Sequence, residues 1–500
     1  MTSIPYCSIA FVARPESRLL MLDVVEELRC RYGAKIHLFC FVPQEMALYE
    51  ALNVDDAFAS VTDAEVLLSS TRTTNLDETE VFSRAAKIEK GLPRTYNSVS
   101  VANRHLGRGY AQGGFYHPRS RFSEETEYVQ MVHAYNETFS FWENAFQSLD
   151  IDLVINGTIE AAVVSRKIGI PFRSLASSRY KNFHFWAVNE FLEDPGIAPR
   201  LETFFESSTE PIATLEPYYA HTVNRTSFIK RGMGIVPMIR NIGMQIARHM
   251  YWRIRGYAKA RSYYLSSEIS YYYRMWAHFR HLSKLTRPLE VLRGKSFVFF
   301  PLHLEPEAAL QSLSPEFFFQ LSSITALSRD LPTGTLLAVK ETFAGIGRRP
   351  DNFYEQIADL KNVVILDTLE LGTNVVKEAA TVATINGTAG LEAALLGKPV
   401  IVFGQHNNYD CLPHVRRVES LTDLRQVILV SLSASSEVLA NANTARRYLD
   451  VVLERSFDLG DYDYLKVSKF SSEVVAAAAK ALHQSVCESA VSSEANWVAD

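Results

Sequence analysis

The chain has 500 residues, a formal net charge of −5 and an ordinary balance of 47% hydrophobic and 21% charged residues. That length exceeds what one hydrophobic core holds and implies two or three domains of about 150 residues each. The net acidity argues against nucleic acid as the main partner, and five scattered cysteines (Cys7, Cys30, Cys40, Cys411, Cys487) without a C-x-x-C pair fit a reduced, cytosolic compartment better than a disulfide scaffold.

The N-terminus, MTSIPYCSIAFVARPE, lacks the basic start and long apolar run of a signal peptide, and no later segment approaches the ~18 uninterrupted apolar residues of a membrane span. From Cys7, short β-rich runs alternate with helical patterns: CSIAFVA, then LLMLDVVEELRCRYG, then KIHLFCFV. This βαβ punctuation predicts a parallel sheet. A glycine-rich and basic stretch, NRHLGRGYAQGGFYHPRSRF, reads as an exposed connection or a loop that closes over substrate. A long helix is expected over 123–149, leading into the strand DLVI and the turn Ile155-Asn156-Gly157-Thr158.

Between about 218 and 285 the composition changes. Arg and Lys recur among Tyr, Trp, Met and Ile, and residues 225–284 (RTSFIKRG to FRHLSK) hold Glu268 as their lone acid. Such a stretch suits either an anionic membrane surface or a helical hairpin packed on the neighbouring domains. The strand and helix alternation then resumes: SFVFFPLH, a helix over 314–329, GTLLAVKE, NVVILDT, TVATING, a helix over 389–396, and KPVIVFG. The C-terminal part reads as helices with a frayed end. The resulting division is 1–215, an α/β domain; 216–292, a basic aromatic helical insertion; 293–435, a second α/β domain; and 436–500, C-terminal helices and tail.

The tetrapeptide INGT occurs twice, at 155–158 and at 385–388, each time after an apolar strand and before a helix. In the second copy, Gly387 permits a tight turn, Thr388 offers a hydroxyl, and Gly390 lets the new helix approach a ligand closely. The free N–H groups of a helix start can bind phosphate, and the carboxyl end of a parallel strand is where an open α/β sheet places its ligand. Gly-Thr is also an ordinary helix cap. Neither Asp150-x-Asp152 nor Asp461-x-Asp463 falls where a metal-binding acidic pair is expected, so no metal is expected.

Three blocks sharpen the reading: PLHLEPEAAL at 301–310, VKETFAGIGRRPDNFYEQI at 339–357, and INGTAGLEAALLGKPVIVFG at 385–404. Together they resemble the bacterial capsule and surface-polysaccharide biosynthesis glycosyltransferases, the group that includes Kdo transferases. The resemblance implies a GT-B fold, in which two Rossmann-like domains face a cleft and the second holds the nucleotide-sugar. Gly387, Thr388 and Glu392 fall on that family's donor-binding GT-x-G-x-E turn, Lys340 and Glu341 on its KE, and His303, Pro306 and Glu307 on its PLH and PE positions. His303 is expected in the catalytic set, and Glu160, just past the first INGT, is the acid examined as base or nucleophile from the acceptor half, with helix-start stabilisation as its other reading. Thr342-Phe343 stands where the family has His-Pro. This leaves open the donor, a CMP-linked sugar included, and whether the site is active.

The expected function is metal-independent sugar transfer from a nucleotide-sugar substrate, with no other cofactor, to a growing surface polysaccharide or glycolipid. The expected place is the cytoplasm or the inner face of its membrane, with residues 225–285 toward an anionic surface. The alternatives are a catalytically inactive relative that binds glycan or nucleotide as an assembly partner, and a sugar-nucleotide epimerase.

Overall fold

The structure is a computed structural model, and it describes residues 6–13, 18–52, 57–101, 103, 116–119, 122, 125–206, 233–257, 259, 262–305, 308–317, 319–460 and 470–496. Strands β1 (Ser8–Val12), β2 (Lys35–Cys40), β3 (Ser60–Asp63), β4 (Leu153–Ile155) and β5 (Phe172–Ser177) form a parallel sheet in the order β3-β2-β1-β4-β5, and β6 (Phe183–Ala187) extends it antiparallel beside β5. Every residue of β1 and β4 is buried, because helices cover both faces of a parallel sheet and leave no solvated side. The Tyr128–Ser148 helix packs Tyr135, Phe139 and Trp142 on one face, together with Val163 of the Ile159–Lys167 helix.

The second sheet repeats the plan. Strands β7 (Ser296–Pro301), β8 (Thr335–Lys340), β9 (Val363–Leu366), β10 (Thr381–Thr384), β11 (Val400–Val402) and β12 (Val415–Arg417) are parallel, in the order β9-β8-β7-β10-β11-β12. In both sheets the chain steps outward over three strands, then returns to the first strand and builds the other way. The crevice at that reversal is where doubly wound sheets bind ligands. Here it lies between β1 and β4 in the first domain and between β7 and β10 in the second. Each INGT follows the fourth strand, so each turn opens onto the crevice of its own sheet. The duplicated tetrapeptide thus marks two topologically equivalent corners, and the pair of Rossmann-like domains is the GT-B arrangement that the sequence resemblance implied.

Some boundaries differ from the expectation. The 314–329 helix begins only at Gln320, after a 3-10 turn at Pro315–Phe317, and the Ser314 hydroxyl before that turn accepts a hydrogen bond from the Asn386 amide. The 123–149 helix begins at Tyr128, where a capping box of Glu127 and Gln130 satisfies the first N–H groups. The C-terminal segment is not a separate unit. The Val438–Glu454 helix packs on the second domain, whereas β13 (Phe457–Asp458) pairs antiparallel with β6, and the Ser472–Asn496 helix buries Ala478, Leu482 and Val486 in the core of the first domain. The basic segment contributes two packed helices, Ile235–Ile254 and Leu265–Leu285, and Leu282 of the latter enters the core of the second domain. Among the described residues no helix is long and apolar enough to cross a membrane.

Candidate functional site

The second INGT turn is held open by its neighbours. His303, just past β7, accepts the Asn386 N–H at Nε2 (3.2 Å), and the Thr384 hydroxyl lies 3.2 Å from the same nitrogen. Thr384 Oγ1 in turn accepts the Gly387 N–H at 3.0 Å, so its own proton points to His303. Burial drives the His303 pKa down to about 4. The ring is therefore neutral and its Nε2 is committed as an acceptor, so His303 shapes the turn and its Nε2 is not available to carry a proton in a reaction. A side chain at Gly387 would meet Thr384 Oγ1 at 2.7 Å and His303 Nε2 at 2.9 Å, and one at Gly390 would meet the Tyr409 hydroxyl at 2.5 Å. Both positions need glycine because the turn is packed this closely.

With Asn386 and Gly387 occupied, the groups left to a ligand are those of the helix start. Thr388 is exposed, and as the first residues of the Thr388–Leu395 helix, Thr388 and Ala389 present N–H groups without intrahelical partners. Glu392, one turn further on the same side, is half-buried, and desolvation lifts its pKa to about 7.

Beneath this turn lies a fully buried ion network that the sequence divided between two of the three blocks, 301–310 and 339–357. Arg349 bonds Glu341 through Nε and Nη2 (2.7 and 2.8 Å), Glu305 through Nη1 (2.6 Å) and the His303 carbonyl through Nη2 (2.6 Å). Tyr354 donates to Glu341 at 2.8 Å. Burial opposes the Arg349 charge, but Glu341 and Glu305 outweigh it and hold its pKa above the usual range. Glu341, expected at the donor, is instead wholly buried in this lock and cannot touch a ligand without breaking it. Lys340 projects from the end of β8. Burial pushes its pKa down against the pull of Glu341, and its ammonium makes a long 3.4 Å contact to the Glu341 carbonyl. Glu307 and Pro306 lie outside the described residues.

The first INGT turn has Asn156 at φ 60° and Gly157 at φ 147°, and Thr158 caps the Ile159–Lys167 helix by accepting the Ala161 N–H at 3.3 Å. Glu160 is 5% exposed. Burial raises its pKa, opposed by a hydrogen bond with Thr158 and the charge of Arg94. The crevice at this turn is lined by Gly157, Thr158, Asn189 and Glu190, with Ser312 and Leu313 arriving from the second domain. Glu190, rather than Glu160, is the acid on this wall. Arg166 holds its Oε1 at 2.5 Å, and its Oε2 is buried without a partner among the described residues. No motif surrounds Glu190 in WAVNEF, so only the fold reveals it.

A second crevice adjoins the first and shares Leu192 and Leu313 with it. Ser178, Arg179 and Phe191 line it from the first domain, and Leu391, His406 and Tyr409 from the second. Its walls are cross-linked. Phe191 stacks on His406 with centroids 3.7 Å apart, His406 Nδ1 lies 2.7 Å from Glu193, and Arg455 pairs with Asp194 at 2.6 Å. Arg179 Nη1 donates to the Asn386 carbonyl at 3.0 Å, which brings a cation of the first domain to the second INGT turn. Thus His303, Gly387, Thr388, Gly390 and Glu392 converge at one corner, with Lys340 and Glu341 at the neighbouring strand end and Glu160 in the opposite domain. Among the described residues no group of three or more His, Cys, Asp or Glu is placed to hold a metal. Of the two D-x-D runs, Asp152 binds the Cys7 and Ser8 N–H groups at the start of β1, and Asp461 and Asp463 lie outside the described residues.

Residues 218–411 match the family described as capsule polysaccharide biosynthesis protein. The matched stretch contains all three blocks and the second INGT turn. The chain is thus similar to that family over the stretch that carries the second INGT corner. No curated protein matches the chain. Among solved structures, the beta Kdo 2,7 transferase KpsC of Thermosulfurimonas dismutans is 14% identical, covering 58% of this chain and 79% of that one at a TM-score of 0.29. A putative UDP-N-acetylglucosamine 2-epimerase from Listeria monocytogenes is 10% identical, covering 90% and 94% at 0.28. The UDP-GlcNAc 2-epimerase of Methanocaldococcus jannaschii, solved with UDP-GlcNAc and UDP, is 12% identical, covering 90% and 99% at 0.24. TM-scores this low give these likenesses no weight in reading the site.

Proposed function

We propose that the protein is a glycosyltransferase of capsule or surface-polysaccharide synthesis, moving a sugar from a nucleotide-sugar donor to a glycan or glycolipid acceptor on the cytoplasmic side of the membrane. The observation that carries this reading is the second INGT corner: an exposed Thr388 hydroxyl and open helix N–H groups at the reversal point of a parallel sheet, with Arg179 brought to the same turn from the other domain. These groups suit a donor phosphate, and the Glu392 carboxyl suits the hydroxyl donors of a ribose. Lys340 adds positive charge at the neighbouring strand end.

In this reading the acceptor hydroxyl lies in the crevice of the first INGT. Glu190 takes its proton through the unpartnered Oε2 while the acceptor oxygen attacks the anomeric carbon. The bond from that carbon to the phosphate oxygen breaks as the new one forms, and a single displacement of this kind inverts the anomeric centre. Negative charge gathers on the departing phosphate, where Arg179, Thr388 and the helix N-terminus stabilise it. No step of this displacement calls on a metal, and Glu160 serves the helix start behind the crevice wall.

The test is incubation of the purified protein with CMP-, UDP-, GDP- and TDP-sugars, with and without surface glycan, while nucleotide release is followed. Release of one nucleotide class, lost in Glu190→Gln with nucleotide affinity unchanged, supports the assignment. Absence of both binding and release across the panel overturns it.

A further inference from the structure

The Ile235–Ile254 helix leaves most of its large apolar side chains in solvent, unlike a helix that only packs on its own protein. No residue of it is buried. The side turned to the Leu265–Leu285 helix is mixed: Met238, Ile242 and Trp252 are half-covered there beside Asn241, Gln245 and His249, and Gln245 donates to the Tyr272 hydroxyl at 3.1 Å. The opposite side is apolar and open. At 3.6 residues per turn, Val236, Ile239, Ile246, Met250 and Ile254 fall within an arc of roughly 80°. Their exposures are 72%, 60%, 39%, 58% and 81%. Such a continuous exposed stripe on a folded protein marks a surface that meets something apolar.

The charges say what it meets. Arg240 and Arg253 border the stripe on its two sides, Arg248 and Arg255 follow further round, and the helix has no Asp or Glu. An apolar band edged by arginines matches the acyl boundary and anionic headgroups of a bilayer. A second copy of the chain would have to supply an apolar face edged by carboxylates, and the same stripe on a twofold partner would set arginine against arginine. The inner helix fixes the hairpin to the second domain. Leu282 sits in its core, His281 lies 2.6 Å from Glu355, and Arg274 donates to the Arg349 carbonyl at 3.1 Å.

We propose that the outward face of the Ile235–Ile254 helix docks in the plane of an anionic membrane, holding the second domain against the lipid surface through the inner helix. This goes beyond the transferase reading and stands whether or not that reading holds.

The experiment is flotation of the full chain with vesicles of phosphatidylcholine alone or with about one third phosphatidylglycerol, at low and high salt. The expected result is at least tenfold more protein on the anionic vesicles, reduced by salt. Ile239→Asp with Ile254→Asp abolishes binding, and Arg240→Glu with Arg253→Glu removes the preference for anionic lipid. All four positions are exposed, so thermal melting of both variants stays near that of the parent. Three results overturn the proposal: equal, negligible binding to both vesicle types, binding unchanged in the apolar-face variant, or sedimentation showing that this variant splits a dimer while the parent ignores lipid.

Discussion

The guanidinium of Arg179 in the first domain lies 3.0 Å from the backbone carbonyl of Asn386 in the second, at the turn where β10 gives way to the Thr388–Leu395 helix. Arg179 adopts φ 62°, a left-handed backbone that costs a non-glycine residue roughly 1 to 2 kcal/mol. The fold holds a strained residue where it sends a positive charge across the cleft.

Replacing that charge tests its purpose. Arg179→Gly suits the left-handed backbone and leaves the melting temperature within a few degrees of the parent. It lowers nucleotide affinity by about 2 kcal/mol, roughly thirtyfold, if the guanidinium binds the donor phosphate. A titration in which Arg179→Gly binds nucleotide as the parent does removes Arg179 from the donor site.

The lock around Arg349 is predicted to support the fold rather than turnover. Arg349→Met leaves Glu341 and Glu305 buried without their cation, at a cost of about 3 to 5 kcal/mol. Glu341→Gln keeps acceptor and donor capacity at the site and costs less. Urea unfolding of both variants measures the difference. A mild effect of Arg349→Met on stability, with a large effect on nucleotide binding, contradicts a structural role.

Much of this is legible in the sequence, and the parts that are not have a common cause. The alternation of short apolar runs with helical patterns announces two parallel sheets, and the INGT repeat announces their equivalent corners, because local pattern dictates strand, turn and helix start. Contacts made by the fold left no such mark. Glu341 reads as a strand-end acid until Arg349 is folded against it, and His303 reads as a reactive imidazole until its Nε2 is spent on the Asn386 N–H. Glu190 is one acid among 56 acidic residues until β6 and the following turn set it beside Thr158. The return of the C-terminal helix to the first domain depends on β13 finding β6, a pairing of strands more than 270 residues apart that no local signal encodes.

A pH dependence follows from Glu392. Its folded pKa of about 7 lies above the ordinary 4.5, so the folded state holds this proton more tightly than the unfolded chain. The stabilising contribution is complete below about pH 4.5 and is lost as pH rises through 7, on the order of 3 kcal/mol. Glu392→Gln flattens that part of the profile. Parallel stability curves for parent and variant between pH 5 and 8 would remove Glu392 as the source.

The central claim is that the second INGT turn grips the donor phosphate, and calorimetric titration of nucleotide into the parent and Thr388→Val tests it most directly. Thr388 is exposed, so the substitution leaves the fold intact and removes a single hydroxyl. The account predicts that the nucleotide bound by the parent binds Thr388→Val more weakly by about 1 to 3 kcal/mol, with the melting temperature unchanged. Equal affinity in the two proteins would contradict it.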